Sequence, residues 1–312
     1  MWNVVLALVP ALLVAVWTFG APAIQTICIC TLTCIVTEWV INRFFMHRPT
    51  SVTDGSAVIT GLLLAFNLPS ILPWWITVIG AIVAIGVGKM SFGGLGTNIW
   101  NPALVGRVFL LLSFPAAMTT WPEGVSAGFD AMTGASHAAD AASGATILQT
   151  LKSNPESITM DNLHLLDVSM GQMNGSLGEV GSLAILLGLI YLLIRRIVTW
   201  HIPVAVLGSA AFFSWIFGGN PLIDLLTGGL MLGACFMATD YTTSPMSPKG
   251  QIIFGVMIGL ITIIIRRWGA YPEGVSFAIL LMNSFVPLIN RYCRPAVYGE
   301  KQRKAMLKTQ KS

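Results

Sequence analysis

The residues whose types and spacing are most suggestive of chemistry lie near the middle of the chain. Residues 140–146 read Asp-Ala-Ala-Ser-Gly-Ala-Thr, which fits the pattern D-x-x-[ST]-G-A-T. Small residues in this pattern leave the hydroxyl of Thr146 accessible for covalent modification. A second interpretation is that Ser143 caps a mildly amphipathic helix from Ala145 to Lys152. The two interpretations are compatible with each other.

The chain that carries this motif has the composition of a membrane protein. Of its 312 residues 55% are hydrophobic and 10% are charged, and the mean hydropathy is +0.77. Soluble domains carry about 25% charged residues, so this chain has too little polar surface to cover a core in water. The composition excludes an ordinary soluble enzyme and predicts an all-α polytopic membrane protein.

Apolar runs of the right length give the predicted membrane spans. A helix needs about 20 residues to cross about 30 Å of hydrocarbon. About ten runs meet or approach this length, and they are residues 2–19, 24–42, 56–69, 71–89, 102–119, 180–196, 202–218, 222–238, 251–266 and 274–290. The run at 56–69 is short and ends in Asn67-Leu68-Pro69, so it is either a crossing helix or a broken, re-entrant one.

Basic residues orient these spans, because short cytoplasmic loops carry an excess of Lys and Arg. With ten spans and the amino terminus inside, Arg107 and most other basic residues fall on the cytoplasmic side. Only Lys152, Arg266 and Arg267 fall outside. If residues 56–69 are re-entrant, nine spans remain and the amino terminus lies outside.

One long polar segment divides the chain into two halves. We predict a first transmembrane half at 1–119, an extracytoplasmic loop at 120–178, a second transmembrane half at 179–290 and a basic cytoplasmic tail at 291–312. The loop holds many acidic residues and a single basic one, Lys152. Long loops of this kind are usually functional or disordered.

The two halves show a weak internal similarity. Thr60-Gly61 and Thr227-Gly228 each open an apolar run, and Pro115 and Pro287 each close one. With five spans on each side of the loop, equivalent helices would enter the membrane from opposite faces. This pattern predicts an inverted 5+5 repeat, as found in many transport folds.

Three charged residues lie within or near the ends of predicted spans, namely Glu38, Arg107 and Asp224. An unpaired charge inside a membrane is costly and often marks a functional pathway. The favoured expectation is that all three reach the interface by snorkelling or by loop placement. The five cysteines show no metal-binding spacing and are expected to be small apolar residues.

The motif at 140–146 resembles the flavinylation motif of the membrane subunits of two redox complexes, Rnf and the Na⁺-pumping NADH:quinone oxidoreductase. Residues 93–106, 236–240, 271–283 and 295–299 resemble signature stretches of the Rnf membrane protein RnfD. The resemblance runs from about residue 43 to residue 300. It is closer to RnfD than to NqrB, the homologue in the quinone complex, because the chain starts directly at a membrane span.

The resemblance implies the cofactors and their residues. Thr146 would carry FMN through a phosphoester, and the remaining motif positions would form the recognition sequence, namely Asp140, Ser143, Gly144 and Ala145. A second, noncovalent flavin, riboflavin, would be lined by Asn67, Asn101, Thr239 and Asp240. The glycine-rich run at 93–96 lacks the spacing of a phosphate-binding fingerprint. It predicts a tight turn, with Pro102 in the first turn of the next helix.

The resemblance also implies the function. The chain would be a membrane electron-transfer subunit of an ion-translocating ferredoxin:NAD⁺ oxidoreductase, not catalytic alone, with a urea-transporter-like fold in a bacterial or archaeal cytoplasmic membrane. Its partners would be the other Rnf proteins, RnfA, RnfB, RnfC, RnfE and above all the flavoprotein RnfG, together with a flavin transferase and the lipid bilayer, without nucleic acid. The alternatives are an NqrB-like component of the quinone complex and a urea-channel-like transporter.

Overall fold

The computed structural model describes residues 1–47, 52–122, 143, 144, 146, 148, 152, 175–179, 181–271 and 273–293. Six α-helices precede residue 120: α1 Trp2–Phe19, α2 Ala21–Val40, α3 Ser56–Phe66, α4 Trp74–Gly86, α5 Pro102–Ser113 and α6 Pro115–Met118. Helix α2 continues as a π-helical turn, Ile41–Phe45, and two 3₁₀ turns lie at Val52–Asp54 and Met90–Phe92.

The described part of the chain after residue 180 holds six further helices: α7 Ser182–Ile194, α8 His201–Ile216, α9 Pro221–Leu226, α10 Leu230–Leu232, α11 Pro248–Trp268 and α12 Val275–Tyr292. Helix α10 continues as a π-helical turn, Gly233–Met237. Two short antiparallel strands, β1 Trp121–Pro122 and β2 Ser143–Gly144, join the end of α6 to the motif region.

Among the described residues, five helices are long and apolar enough to cross a membrane, which confirms a polytopic membrane protein. They are Trp2–Phe19, Ala21–Phe45, Trp74–Phe92, Pro248–Trp268 and Val275–Tyr292. Many large apolar side chains on these and neighbouring helices are exposed, Leu13 and Leu187 among them. Such a surface is unfavourable in water and suits contact with lipid.

Several predicted spans are shorter or broken. The run at 102–119 is divided at Phe114 into α5 and α6, and the run at 180–196 forms a helix of only 13 residues, α7. The run at 56–69 forms only α3, whose 11 residues rise about 16 Å, roughly half of the hydrocarbon thickness. The run at 222–238 was expected to be one helix, and this expectation is wrong. It is interrupted between α9 and α10, where Thr227 is extended and Gly228 has a positive φ of 71°.

Helices α1 and α7 pack against each other in antiparallel orientation. The hydroxyl of Tyr191 lies 3.4 Å from Oδ1 of Asn3, and Gly188 faces the carbonyl oxygen of Ala7. A Cβ atom at Gly188 would overlap that carbonyl, so glycine permits the close approach. Toward the other end of the pair, Gly181 lies against Val14. The partner positions therefore run in opposite directions along the two helices.

The helices on each side of residue 120 pack in the same order. Helix α2 contacts α3 and α4, and α4 contacts α5; in the later part, α8 contacts α9 and α11, and α11 contacts α12. Small residues allow these approaches, as expected for helices that pack within a membrane. Gly61 lies against the backbone of Thr31, and Gly259 lies against Ser209.

Candidate functional site

The three intramembrane charges are buried and paired, so the expectation that they reach the interface is wrong. Nζ of Lys89 lies 2.6 Å from Oε2 of Glu38, and Arg107 forms an ion pair with Glu273. The third, Asp224, is paired with two arginines, at 3.7 Å from Arg266 and 3.0 Å from Arg267. Each charge finds a partner on another element, which removes the need to reach water.

A cavity of about 290 Å³, called the large cavity below, lies between the earlier and later helices. The first helices contribute the start of α1, α3 and the start of α5. The later part of the chain contributes the end of α7 and the turn that follows residues Gly233–Met237. The walls of the cavity are mixed apolar and polar. They consist of Met1, Asn3, Val4, Ser56, Ile59, Thr60, Leu63, Lys89, Leu95, Asn98, Asn101, Pro102, Leu192, Ile197, Val198, Phe236, Thr239, Asp240, Tyr241 and Thr242.

Three of the four residues predicted for the second flavin line this cavity, and Asn67 does not. The side chain of Asn101 accepts a hydrogen bond from the backbone N–H of Ala103 at 3.1 Å, so it caps α5. Its Nδ2 donates to the carbonyl oxygen of Met237 at 3.2 Å. The cap confirms that α5 begins at the Asn-Pro pair. Positive φ angles at Gly93, Gly94 and Gly96 confirm the tight turn before it.

Thr239 and Asp240 lie on the opposite chain segment of the cavity. The hydroxyl of Thr239 donates to the carbonyl oxygen of Cys235 at 2.8 Å. The Asp240 carboxylate accepts hydrogen bonds from the hydroxyls of Thr242 and Thr243 at 3.0 and 3.3 Å. Burial raises the pKa of Asp240 above its ordinary value, although these hydrogen bonds to the carboxylate oppose the shift.

Lys89 is a residue of this cavity that the sequence did not identify. It closes an apolar run and was placed among the cytoplasmic basic residues, yet only 2% of it is exposed. Its Nζ donates to Oε2 of Glu38 at 2.6 Å and to Oγ of Ser56 at 2.7 Å. One sequence feature could have identified Lys89. Glu38 is a lone acidic residue within the apolar run at 24–42, and a buried charge requires a partner of opposite sign, such as a lysine at the end of another run.

A second, smaller recess of about 50 Å³, called the loop pocket below, lies near β1 and the connection between α11 and α12. Its lining residues are Arg107, Leu111, Met118, Thr119, Trp121, Tyr271 and Glu273. The ring of Tyr271 stacks on Phe277 with a centroid distance of 5.6 Å. The recess therefore combines aromatic walls with one buried ion pair.

The modification motif lies beside the loop pocket. Gly144 of β2 pairs with Trp121, which lines the pocket, and Ser143 pairs with Pro122. Thr146 is only 5% exposed, so the expectation that its hydroxyl is accessible is wrong for the folded chain. Two of the five defining motif residues, Asp140 and Ala145, lie outside the described residues.

Residues just after Thr146 contact the later helices. Leu148 is buried, and a Cβ atom on Gly228 would lie 2.5 Å from its Cδ1 and 2.6 Å from Nη2 of Arg266. Leu148 and Arg266 therefore converge on the same glycine. Lys152 donates to the carbonyl oxygens of Gly269 and Tyr271. These contacts dock the motif region on the end of α11 and on the break between α9 and α10.

A line of hydrogen bonds connects the two recesses, and we call it the polar seam. Nη1 of Arg107 donates to Oδ1 of Asn67 and to Oγ of Ser276, both at 2.7 Å. Nδ2 of Asn67 lies 3.7 Å from Sδ of Met237, whose carbonyl oxygen accepts from Asn101. Arg107 lines the loop pocket, and Asn101 lines the large cavity.

The recesses lie at different heights along α5. Pro102 lines the large cavity and Leu111 lines the loop pocket. A rise of 1.5 Å per residue separates these two positions by about 14 Å. The polar seam also passes the end of α3 and the break between α9 and α10. Asn67 follows the last residue of α3. At the break, a Cβ atom on Gly229 would lie 3.6 Å from Nη1 of Arg107.

The two recesses differ in the size of ligand that they can hold. The volume of the loop pocket, about 50 Å³, is smaller than that of a flavin ring system. A ring therefore cannot enter the pocket with the side chains in their present positions. The large cavity approaches the size of ordinary ligand pockets, which begin at about 300 Å³. Its amides and hydroxyls can bond to the carbonyl and nitrogen atoms of a ring or to the hydroxyls of a ribityl chain.

Comparison with known proteins decides the family. The sequence profile of the NQR2, RnfD, RnfE family matches residues 1–299. The chain belongs to this family. The resemblance inferred from the motifs is therefore confirmed.

Curated relatives of this family member match nearly the whole chain. The D subunit of the Na⁺-translocating ferredoxin:NAD⁺ oxidoreductase complex of Acetobacterium woodii is 44% identical over 96% of the chain and 90% of its own length. The D subunit of the proton-translocating complex of Clostridium ljungdahlii is 40% identical, over 97% and 92%. The D subunit of the ion-translocating oxidoreductase complex of Ectopseudomonas mendocina is also 40% identical, over 97% and 92%.

Proposed function

We propose that this chain is the membrane electron-transfer subunit of an ion-translocating ferredoxin:NAD⁺ oxidoreductase complex and carries FMN through a phosphoester on Thr146. The observation that carries the proposal is the position of Thr146. It follows the strand that borders the loop pocket, and it is docked on the membrane helices through Leu148 and Lys152. The curated relatives of this chain are named as the D subunits of such complexes.

The charges near Thr146 suit a phosphoester, which carries a negative charge at neutral pH. Arg266 is 6% exposed, and its Nε has no hydrogen-bond acceptor among the described residues. It reaches the same glycine as Leu148, two positions after Thr146. Charge-assisted bonds from arginine to phosphate oxygens are strong and directional, so this guanidinium would hold the phosphate.

We also propose that the large cavity binds a second, noncovalent flavin, riboflavin. Asn101, Thr239 and Asp240 line this cavity together with Asn98 and Lys89. A neutral flavin without a phosphate needs hydrogen-bonding groups more than a cluster of cations. When bound, the flavins would supply the redox chemistry, and the protein would supply position, burial and hydrogen bonds.

The arrangement suggests how the chain would serve the complex. The Thr146 flavin would exchange electrons with the flavoprotein RnfG outside the cytoplasmic membrane, and RnfA, RnfB, RnfC and RnfE would complete the assembly. Electron flow would be coupled to movement of Na⁺ or H⁺, the two ions that appear in the names of the relatives. Moving one charge against 100 mV requires about 2.3 kcal/mol.

For the topology, we infer ten membrane segments arranged as an inverted 5+5 repeat in a urea-transporter-like fold, with residues 120–178 outside the cytoplasm. Two of these segments are not complete helical crossings, because α3 is half the required length and the run at 222–238 is interrupted. Three features support the inference: the antiparallel packing of α1 and α7, the repeated packing order of the helices, and the broken helices at equivalent places in the two halves. Discontinuous helices at a repeat interface are typical of substrate and ion sites.

In-gel flavin fluorescence of the denatured chain tests the covalent site. The chain is expressed together with a flavin transferase, as the original sequence and as Thr146→Ala, with Thr150→Ala as the matched control in the same loop. We expect a fluorescent band for the original chain and for the control, and none for Thr146→Ala. A dark band in all three would reject the covalent flavin and favour a transporter without a cofactor.

A further inference from the structure

The buried ion pair at the large cavity presents its positive end to the cavity. Lys89 and Ser56 line the cavity, whereas Glu38 is not among the lining residues. An ammonium group has three N–H donors. Two of them are directed to Glu38 and Ser56, at 2.6 and 2.7 Å. The third is available to a ligand in the cavity.

The other charged groups that line the cavity are Asp240 and the amino terminus of Met1, and their charges have opposite signs. Asp240 lies on the segment after the second π-helical turn and is bonded to two threonine hydroxyls. The amino terminus of Met1 is at the exposed end. The remaining polar lining residues are neutral amides and hydroxyls, which bond to neutral and anionic ligands alike. In a medium of low dielectric constant, the positive end of a buried ion pair acts on a charge in front of it, and Glu38, on the far side, reduces this effect without cancelling it.

We propose that Lys89 is a positioning and redox-tuning residue, which makes the large cavity bind reduced flavin more tightly than oxidised flavin. This inference rests on the proposed flavin site in that cavity. Two-electron reduction of the neutral ring with uptake of one proton from water leaves one negative charge on the flavin. The electrons would come from an iron–sulfur centre of a partner subunit. A cation at the wall favours this charged product, so the potential of the bound flavin rises.

Riboflavin binding to the purified full-length chain tests the inference. The Thr146→Ala background removes the covalent flavin signal, so that only the cavity is titrated. Dissociation constants are measured by equilibrium dialysis, without oxygen, for oxidised riboflavin and for riboflavin reduced with dithionite. We expect the reduced form to bind at least about tenfold more tightly, which corresponds to about 30 mV for a two-electron couple.

Two single variants should move this preference in opposite directions. Lys89→Gln removes the cation, so the preference for the reduced form should fall to about one, whereas Lys89→Arg should retain it. Glu38→Gln removes the countercharge and should increase the preference. The double variant Lys89→Met/Glu38→Leu replaces the pair with apolar side chains, which is often tolerated in folding. This double variant should still bind oxidised riboflavin, but it should bind the reduced form no more tightly than the oxidised form.

The outcomes separate this inference from the flavin site on which it rests. If Lys89→Gln and Glu38→Gln weaken both forms equally, Lys89 only supports packing and the inference is overturned, while the flavin site stands. If the Thr146→Ala chain with no other change binds neither form of riboflavin, the proposed flavin site is wrong, and the role of Lys89 is rejected with it. Opposite shifts in the two variants support the inference, because a structural role would move both in the same direction.

Discussion

The large cavity and the loop pocket lie along the same helix, α5, but the protein builds them differently. The large cavity has many hydrogen-bonding groups, and its ion pair directs a lysine inward. The loop pocket is several times smaller and is closed by the Arg107–Glu273 ion pair between aromatic side chains. A roomy cavity can enclose a ligand by shape and hydrogen bonds, whereas a pocket of about 50 Å³ is too small to enclose a ligand of ordinary size.

The ion pairs of the two recesses also differ in what they connect. Glu38 lies in α2 and Lys89 lies in the turn after α4, so both belong to the part of the chain that precedes residue 120. Arg107 lies in α5 and Glu273 lies just before α12, so their pair joins the earlier and later parts of the chain. The loop pocket therefore depends on the association of the two halves, and the polar seam passes through the same arginine.

The largest effect is expected from breaking the pair at the loop pocket. Glu273→Gln would leave the buried guanidinium of Arg107 without its ion-pair partner. The buried acid Glu179 still interacts with the Arg107 charge, so the expected cost is at the lower end of the range for a broken buried pair, about 3 kcal/mol. The thermal midpoint in detergent should fall sharply. Arg267→Gln is the matched control, because the side chain of Arg267 is 32% exposed. An equal decrease for both variants would contradict the structural role assigned to the Arg107–Glu273 pair.

A smaller effect is expected at the large cavity from Asn101→Ala. The variant loses the cap of α5, which costs about 1 kcal/mol, and it loses the bond to Met237. Riboflavin binding should weaken, while in-gel fluorescence from Thr146 should be unchanged. Loss of the covalent signal in this variant would show that the two recesses are not independent.

A modest, pH-dependent gain is expected from Asp240→Asn. Burial raises the pKa of Asp240, so the folded chain binds more protons than the unfolded chain between the ordinary value of 3.8 and the raised value. Over that range stability decreases as pH rises. The variant should therefore have a higher thermal midpoint at pH 7, and the gain should disappear near pH 4. A gain that is the same at both pH values would contradict the titration.

The smallest effect is expected from Lys152→Met at the loop pocket. Lys152 is exposed and donates to two backbone carbonyls, so its loss should cost about 1 kcal/mol or less. Thermal stability should hardly change. The fraction of chains with covalent flavin, measured by in-gel fluorescence against total protein, should decrease because the motif is less well docked. An unchanged fraction would show that this contact does not position Thr146.

The sequence by itself determined the class of protein, its family and most helix positions. Length, low charge and long apolar runs are enough for the class and the helix positions, because the bilayer imposes a helix length and excludes charges. Asn101 and Pro102 marked the start of α5 for a local reason, the side-chain cap on the following backbone N–H. The motif around Thr146 was also a local pattern, and it stays a prediction for the cofactor.

Only the tertiary structure decided the partners of the charges and the walls of the recesses. Glu38 and Lys89 are 51 residues apart, and Asn67 and Arg107 are 40 residues apart. No local pattern relates such pairs. The sequence therefore predicted snorkelling at Glu38, Arg107 and Asp224, where the folded chain has buried ion pairs. The family resemblance placed Asn67 with Asn101 in one flavin site, but packing directs Asn67 toward Arg107. Spacing along a chain fixes neighbours within a helix, whereas contacts between helices exist only after they have packed.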